Sequence, residues 1–197
     1  MVKALILAGG ESRRFGEDKA LYKVKGEPMI KHVIKKLRES KFIDWIGVVA
    51  SKRIVYLLEK HNTRKLIDEY IVDDQQIGPA GGVMIGVKRV GDAFITGCDM
   101  IFLNPRLIDY VIEFYLKYRD SFIAYTPSVK RGFIEPLHTM YTYRVYDVLR
   151  EGIKSGDRSI QRILLSRRRE LFVIEVCGEE WVSSLRSINT KRDLENS

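Results

Sequence analysis

The stretch LAGGESRRFGEDKAL, Leu7 to Leu21, combines the residue types that grip phosphate. Gly9 and Gly10 let the backbone turn sharply and bring N–H groups close to a ligand. Arg13, Arg14 and Lys19 add positive charge of the kind a polyphosphate attracts. The spacing is neither a G-x-G-x-x-G dinucleotide fingerprint nor a P-loop. The plainer alternative is a basic surface loop with solvated charges.

Other segments carry candidate chemistry too. Asp99 stands directly after an apolar run. A carboxylate there could hold Mg²⁺, which takes one or two carboxylates together with substrate phosphates. Taken in isolation, Asp99 reads better as a helix cap or an ion-pair partner. Asp73 and Asp74 pose the same choice, and the sequence does not separate them. GPAGGV, residues 78–83, puts Pro79 at a helix start with Gly78, Gly81 and Gly82 around its first turn. Glycine inside a helix costs about 1 kcal/mol against alanine, so either a ligand approaches this backbone closely or the helix packs tightly. Cys98 reads as a small buried filler. His138 reads as structural, with no evident Ser or Cys partner. Arg167, Arg168 and Arg169 form either an anion patch or a solvated helix end.

These residues need elements to position them. The apolar run at 2–7 predicts a buried strand that delivers the glycine loop. Residues 28–40 predict a helix, with Pro28 in its first turn and Ile30, Val33, Ile34 and Leu37 on one face. A strand at 45–50 and a helix at 54–60 follow, then a strand at 69–72 and a helix from Gly78-Pro79. A strand at 93–96 leads to a helix opened by Asn104 as cap and Pro105 in the first helical position. This alternation predicts an α/β fold: a Rossmann-like, mostly parallel sheet flanked by helices. Ligands of such sheets sit beyond the carboxyl ends of the strands. Gly9, Gly10, Asp73 and Asp99 all fall at such ends. Beyond residue 120 the expected elements are strands at 121–126, 133–139 and 171–176, helices at 143–154 and 159–165, and a short helix at 191–195. No linker or repeat interrupts the chain, so one domain over 1–197 is expected.

Composition narrows the functions. The chain has 197 residues, 45% of them hydrophobic, enough for a substantial core. No stretch reaches the roughly 20 apolar residues of a membrane helix, and residues 5–8 are too short for a signal-peptide core. No membrane partner and a cytoplasmic location are expected. Cys98 and Cys177 have no CxxC partners, and with three histidines a soft-metal site is not expected. The formal charge of +8 suits either nucleic acid or a small polyanion. No aromatic-stacking or helix-turn-helix signature supports nucleic acid.

Together these segments resemble one family. LAGGESRRFGEDKAL is similar to the pyrophosphorylase-type signature of nucleotidyltransferases, in the form found in molybdenum cofactor guanylyltransferases. GPAGGV resembles that family's GP-x-x-G-[IV], TGCDMIFL its C-D-M-P-F-L, EPLHTMY its [EQ]-P-L-x-x-x-Y, and INTKRDLE its terminal N-T-P-x-D-L. The resemblance implies a fold of the nucleotide-diphospho-sugar transferase type. It implies transfer of GMP from GTP to molybdopterin with release of pyrophosphate, Mg²⁺ as cofactor, and transient partners in cofactor delivery. It implies that Leu7, Ala8, Gly9 and Gly10 line the guanine nucleotide, with Asp73, Gly78 and Gly82 near it. Lys19 would meet the phosphates, Arg13 and Lys19 would neutralise the leaving pyrophosphate, and Asp99 would bind both Mg²⁺ and nucleotide. Arg131, Arg158 and Arg162 would face the pterin. The chain departs from the pattern at Ile101 and Lys191, where the motifs have proline, and at Val49, Ala50 and Ser51, where an Asn often stands. The rivals are a molybdopterin cytidylyltransferase, a cobinamide-phosphate guanylyltransferase and a sugar-phosphate nucleotidyltransferase. LAGG rather than LAAG favours the guanylyl reading over the cytidylyl one.

Overall fold

The computed structural model describes residues 1–9, 18–61, 63–130 and 132–195. Strand β1 (Val2–Leu7) is buried at every position but Lys3, because helices cover both faces of the sheet it belongs to. A hairpin follows, formed by β2 (Lys23–Val24) and β3 (Glu27–Pro28), and leads into helix α1 (Met29–Arg38). Then come β4 (Ile43–Ala50), α2 (Lys52–Lys60), β5 (Glu69–Val72), α3 (Pro79–Val90), β6 (Ala93–Gly97) and α4 (Pro105–Tyr118). The last part contains β7 (Ala124–Ser128), β8 (His138–Tyr141), α5 (Val145–Lys154), α6 (Ile160–Ser166), β9 (Leu171–Glu175), α7 (Glu179–Ser184) and α8 (Arg192–Glu195).

The main sheet has seven strands in the order β5-β4-β1-β6-β8-β7-β9. β5, β4, β1 and β6 run parallel, as the strand–helix alternation predicts. β8 runs antiparallel to both β6 and β7, and β7 is parallel to β9. The reversal places the start of β8 beside the end of β6, where His138 pairs with Thr96. A residue just before β8 therefore shares an edge of the sheet with residues just after β1, β4 and β6.

Successive side chains of β1 feed opposite cores. Ala4 and Ile6 join Ile30 of α1, Ile54 and Leu58 of α2 and Ile108 of α4. Leu5 and Leu7 join Val83 and Val87 of α3, Leu149 of α5 and Ile163 of α6. The α3 glycines serve this second core. A Cβ on Gly86 would lie 2.6 Å from Leu5 Cδ1, and one on Gly82 would lie 3.3 Å from Leu7 Cδ1. Close packing of α3 onto β1 thus accounts for Gly82 and Gly86, while a Cβ on Gly81 would lie 2.8 Å from Ile77 Cβ.

The second half differs from the sequence expectation in its boundaries. The strand expected at 121–126 runs Ala124–Ser128, and the one expected at 133–139 begins only at His138. The residues before His138 form a turn fixed by side-chain hydrogen bonds, which no periodicity announces. The hairpin at β2 and β3 was not expected. Its strands are too short to alternate, and its turn has positive φ at Lys25 and Gly26.

Candidate active site

A cleft of about 690 Å³ opens at the carboxyl ends of the parallel strands, a size in the usual range for small-molecule sites. Leu7, Ala8 and Gly9, which the sequence singles out, line it at the end of β1. Past β6 the chain stays on the sheet for one more bond, Cys98 N–H donating to Leu7 O at 3.0 Å. It then turns, and Asp99 faces the cleft. Gly97 makes this turn possible: a Cβ there would sit 2.6 Å from Asp99 Oδ1.

Lys19 meets Asp99 across the cleft. It begins a single 3₁₀ turn, Lys19–Leu21, and its Nζ donates to Asp99 Oδ2 at 2.9 Å and to Asn189 Oδ1 at 2.9 Å. The two charged side chains are only 18% and 17% exposed, so the pair is shielded from bulk water. Asp18 anchors the turn, accepting from both terminal nitrogens of Arg53 on α2 at 3.0 and 2.5 Å. Asn189 arrives from the far end of the chain. Ile188 N–H donates to Asp99 O at 3.0 Å, and Asp193 Oδ2 accepts from the backbone N–H groups of Asn189 and Thr190 at 2.7 Å each.

On the other side of β1, Asp73 follows β5 and lines the cleft. It is buried, and its Oδ1 accepts from the backbone N–H groups of Gln75 and Gln76 at 3.1 and 2.9 Å. Asp74 points away: it is exposed, pairs with Lys52 at 3.3 Å, and does not line the cleft. Gly78 opens α3 with φ +101°, a backbone state that favours glycine, and open space surrounds its Cα. Gly82, one turn on, also lines the cleft.

The remaining candidates divide. Cys98 is buried, and burial, reinforced by the Asp99 charge, pushes its thiol pKa far up, so it is no thiolate nucleophile. His138 is fully buried, its ring nitrogens have no hydrogen-bond partner among the described residues, and it packs edge-on against Phe94 and does not line the cleft. Burial lowers its pKa to about 3, which keeps it neutral. Arg158 and Arg162 do not line the cleft, and Arg162 is spent on Asp157 at 2.7 Å. Gly10, Arg13, Arg14 and Arg131 lie outside the described residues. The sequence reading missed Glu135, Asn189 and the Asp18–Arg53 pair. EPLHTMY and INTKRDLE contain the first two, but nothing near Arg53 announces its partner.

Among the described residues no group of at least three His, Cys, Asp or Glu side chains could hold a metal. The site nevertheless suits Mg²⁺. Asp99 and Asn189 already hold a cationic ammonium between two hard oxygens, and Mg²⁺ takes few protein ligands when phosphates complete its shell.

The model of the MobA-like NTP transferase domain matches residues 4–171. The chain belongs to this family. It is 38% identical over 189 residues to a Thermococcus gammatolerans protein named "Probable molybdenum cofactor guanylyltransferase", covering 96% of this chain and 95% of the relative. A Pyrococcus horikoshii protein of the same name is 34% identical, with 97% and 96% covered. The crystal structure of molybdopterin-guanine dinucleotide biosynthesis protein A from Archaeoglobus fulgidus superposes with a TM-score of 0.78 at 24% identity, covering 99% of this chain and 96% of that one. CMP:2-keto-3-deoxy-manno-octonic acid synthetase shares the fold with a TM-score of 0.66 at 13% identity. The fold is thus the nucleotide-diphospho-sugar transferase type that the sequence motifs imply, and the protein is a nucleotidyltransferase of the MobA-like family. The family's motifs all lead to the cleft or its supports. Ile101, in the place of the motif's proline, packs partly buried against Met29 and Ile188. That packing secures the loop after Asp99 by other means. No described helix is long and apolar enough to cross a membrane.

Proposed function

We propose that the protein transfers GMP from GTP to the terminal phosphate of molybdopterin, with Mg²⁺, in the cytoplasm, residues 1–197 acting as one domain. The observation that carries this reading is the Lys19–Asp99 pair in the cleft of a chain matched along nearly its whole length by relatives of that name.

The reaction joins two anions. An acceptor phosphate oxygen attacks the α-phosphorus of GTP, a new P–O bond forms, and the bond to the pyrophosphate oxygen breaks. The acceptor phosphate is already ionised, so no general base is needed. That agrees with a neutral, buried His138 and a protonated Cys98. Phosphoryl transfer depends on positioning and charge stabilisation. Mg²⁺ held at Asp99 would screen the two reacting phosphates from each other and polarise the α-phosphate. Lys19 exchanges the Asp99 carboxylate for the incoming phosphates, and the Asp18–Arg53 pair keeps its turn in place meanwhile. Leu7, Ala8 and Gly9 offer main chain to the nucleotide, with Asp73, Gly78 and Gly82 beside it. The motif resemblance gives Arg13 the neutralising of the leaving pyrophosphate and Gly10 a part in the nucleotide loop; both lie outside the described residues. Thermal-shift titration with GTP, CTP, ATP and UTP in Mg²⁺ tests the nucleotide choice. The largest stabilisation is expected with GTP, and equal stabilisation by CTP would overturn the guanylyl assignment.

A further inference from the structure

Glu135 lies at the cleft edge between β7 and β8, and its backbone is held unusually firmly. Its N–H donates to Pro127 O at 3.0 Å. Its carbonyl accepts from Thr139 Oγ1 at 2.7 Å, from Thr126 Oγ1 at 3.3 Å and from His138 N–H at 3.1 Å. The next carbonyl, Pro136 O, accepts from the fully buried Tyr141 hydroxyl at 2.9 Å. The Thr139 and Thr126 hydroxyls lie 2.8 Å apart and support each other. A satisfied buried polar network of this kind makes a position rigid.

What the network presents is a carboxyl group. Glu135 Oε1 accepts from Leu137 N–H at 3.2 Å, and no described cation pairs with either oxygen. The other acids of the cleft are all occupied: Asp18 by Arg53, Asp99 by Lys19, and Asp73 by its own loop amides. A carboxylate with spare acceptor capacity repels phosphate. Once ionised, this group suits a part of the ligand that carries hydrogen-bond donors.

Position decides which part. Asp73 and Gly78 flank the β5 edge of the cleft, and β4, β1 and β6 intervene before β8. At about 4.8 Å per strand, β5 and β8 are roughly 19 Å apart. A nucleotide with its phosphates at Lys19 and its base toward Asp73 runs away from Glu135. In the proposed reaction the acceptor would enter on the other side of Asp99, toward Glu135.

We propose that Glu135 is a specificity residue of the acceptor subsite, its carboxylate accepting hydrogen bonds from N–H groups on the acceptor's ring system, with Thr126, Thr139 and Tyr141 as positioning residues. The proposal rests on the guanylyl-transfer reading, in which the acceptor is a pterin bearing ring N–H groups and an exocyclic amine. Burial, opposed by the Leu137 amide and assisted by the Asp99 charge, raises the Glu135 pKa to about 7. N–H donors stabilise the ionised form.

The test is steady-state kinetics of Glu135→Gln and Glu135→Ala with molybdopterin varied, beside GTP binding by titration. Gln keeps the size of the side chain and the bond from Leu137 but replaces an acceptor oxygen with a donor. The molybdopterin KM is expected to rise about ten- to a hundredfold in Glu135→Ala, the loss of a hydrogen bond to a charged group, and by a smaller factor in Glu135→Gln, whose amide oxygen still accepts and whose residue type the [EQ]-P-L motif admits. The GTP Kd should match the parent, which also shows that the variants fold. Thr139→Val should raise the same KM by a smaller factor. An unchanged molybdopterin KM in both Glu135 variants would overturn the proposal. So would an equal loss of GTP affinity, which would put Glu135 on the nucleotide. Failure of the parent protein itself to transfer GMP would strike the guanylyl-transfer reading instead.

Discussion

On the side of β1 and β5, the cleft wall is largely backbone: Leu7, Ala8 and Gly9 run along it, Gly78 turns beneath it, and Asp73 is folded onto its own loop amides. On the side of β8, the wall is a side chain held by other side chains, Glu135 fixed through Thr126, Thr139 and Tyr141. Between them stands the Lys19–Asp99 pair. A backbone wall depends on small residues and close helix packing, so it should be broken by adding atoms. A wall of networked side chains should be broken by removing them. The difference also suits the proposed ligands, since phosphates match main-chain N–H groups and cations, whereas a donor-bearing ring matches an acceptor.

The largest effect should come from the boundary between the two walls. Asp99→Asn is expected to lower GMP transfer by about a hundred- to a thousandfold, the scale for removing one electrostatic element of an active site. Its melting temperature should stay near the parent's, because the amide oxygen of Asp99→Asn still accepts from Lys19 and the position lies outside the hydrophobic core. Transfer rates and thermal melts on the same preparation check both halves.

Lys19→Ala should weaken GTP binding by about ten- to a hundredfold. Guanosine, which has no phosphate for Lys19 to meet, should bind the variant and the parent alike. A parallel loss for both ligands would place Lys19 in the architecture of the wall rather than on the phosphates.

Adding atoms behind the backbone wall, where α3 packs on β1, tests its support. Gly86→Ala places a Cβ 2.6 Å from Leu5 Cδ1, and Leu5 is wholly buried. Overpacking of this kind costs about 1–3 kcal/mol. A fall in melting temperature of about 2–10 °C is expected for a chain of this size.

The smallest effect concerns stability and pH on the opposite wall. The native Glu135 carboxyl keeps its proton up to about pH 7, whereas the unfolded chain releases it near the ordinary carboxyl value of 4.5. The folded state therefore binds more protons across that window, and the parent loses stability as pH rises through it. Glu135→Gln cannot titrate. It should melt a few degrees above the parent at about pH 8, and the gain should shrink toward about pH 4. Melting curves across that range would show it, and a gain independent of pH would mean that the carboxyl is not the cause.

The same contrast explains what could be read from the residues alone. β1, β4 and β6 were legible because strands buried on both faces are continuously apolar, and the half-buried edge strand β5 because its short run leads into Asp73. Gly9, Asp73 and Asp99 were legible because they end those strands. The choice of Asp73 over Asp74 needed the fold: only the direction of the loop puts one inside and pairs the other with Lys52. The two explanations of GPAGGV also separate only in three dimensions, Gly82 packing on Leu7 while Gly78 supplies the turn. Glu135 and Asn189 stood inside quoted motifs, yet neither motif says that one faces the cleft with no described cation on it and the other holds Lys19. Arg53 was silent, because its bond to Asp18 joins segments whose nearness only the β1–β4 pairing creates.

The central claim is that the Lys19–Asp99 cleft transfers GMP to a pterin phosphate. It is tested most directly by incubating the protein with Mg²⁺, molybdopterin and GTP labelled at the α-phosphate, and separating the products. Label is expected in molybdopterin guanine dinucleotide with one pyrophosphate released per GMP transferred, and none is expected with Asp99→Asn or with CTP as donor. Label that stays in GTP with the parent protein, or an equal yield from CTP, would contradict the account.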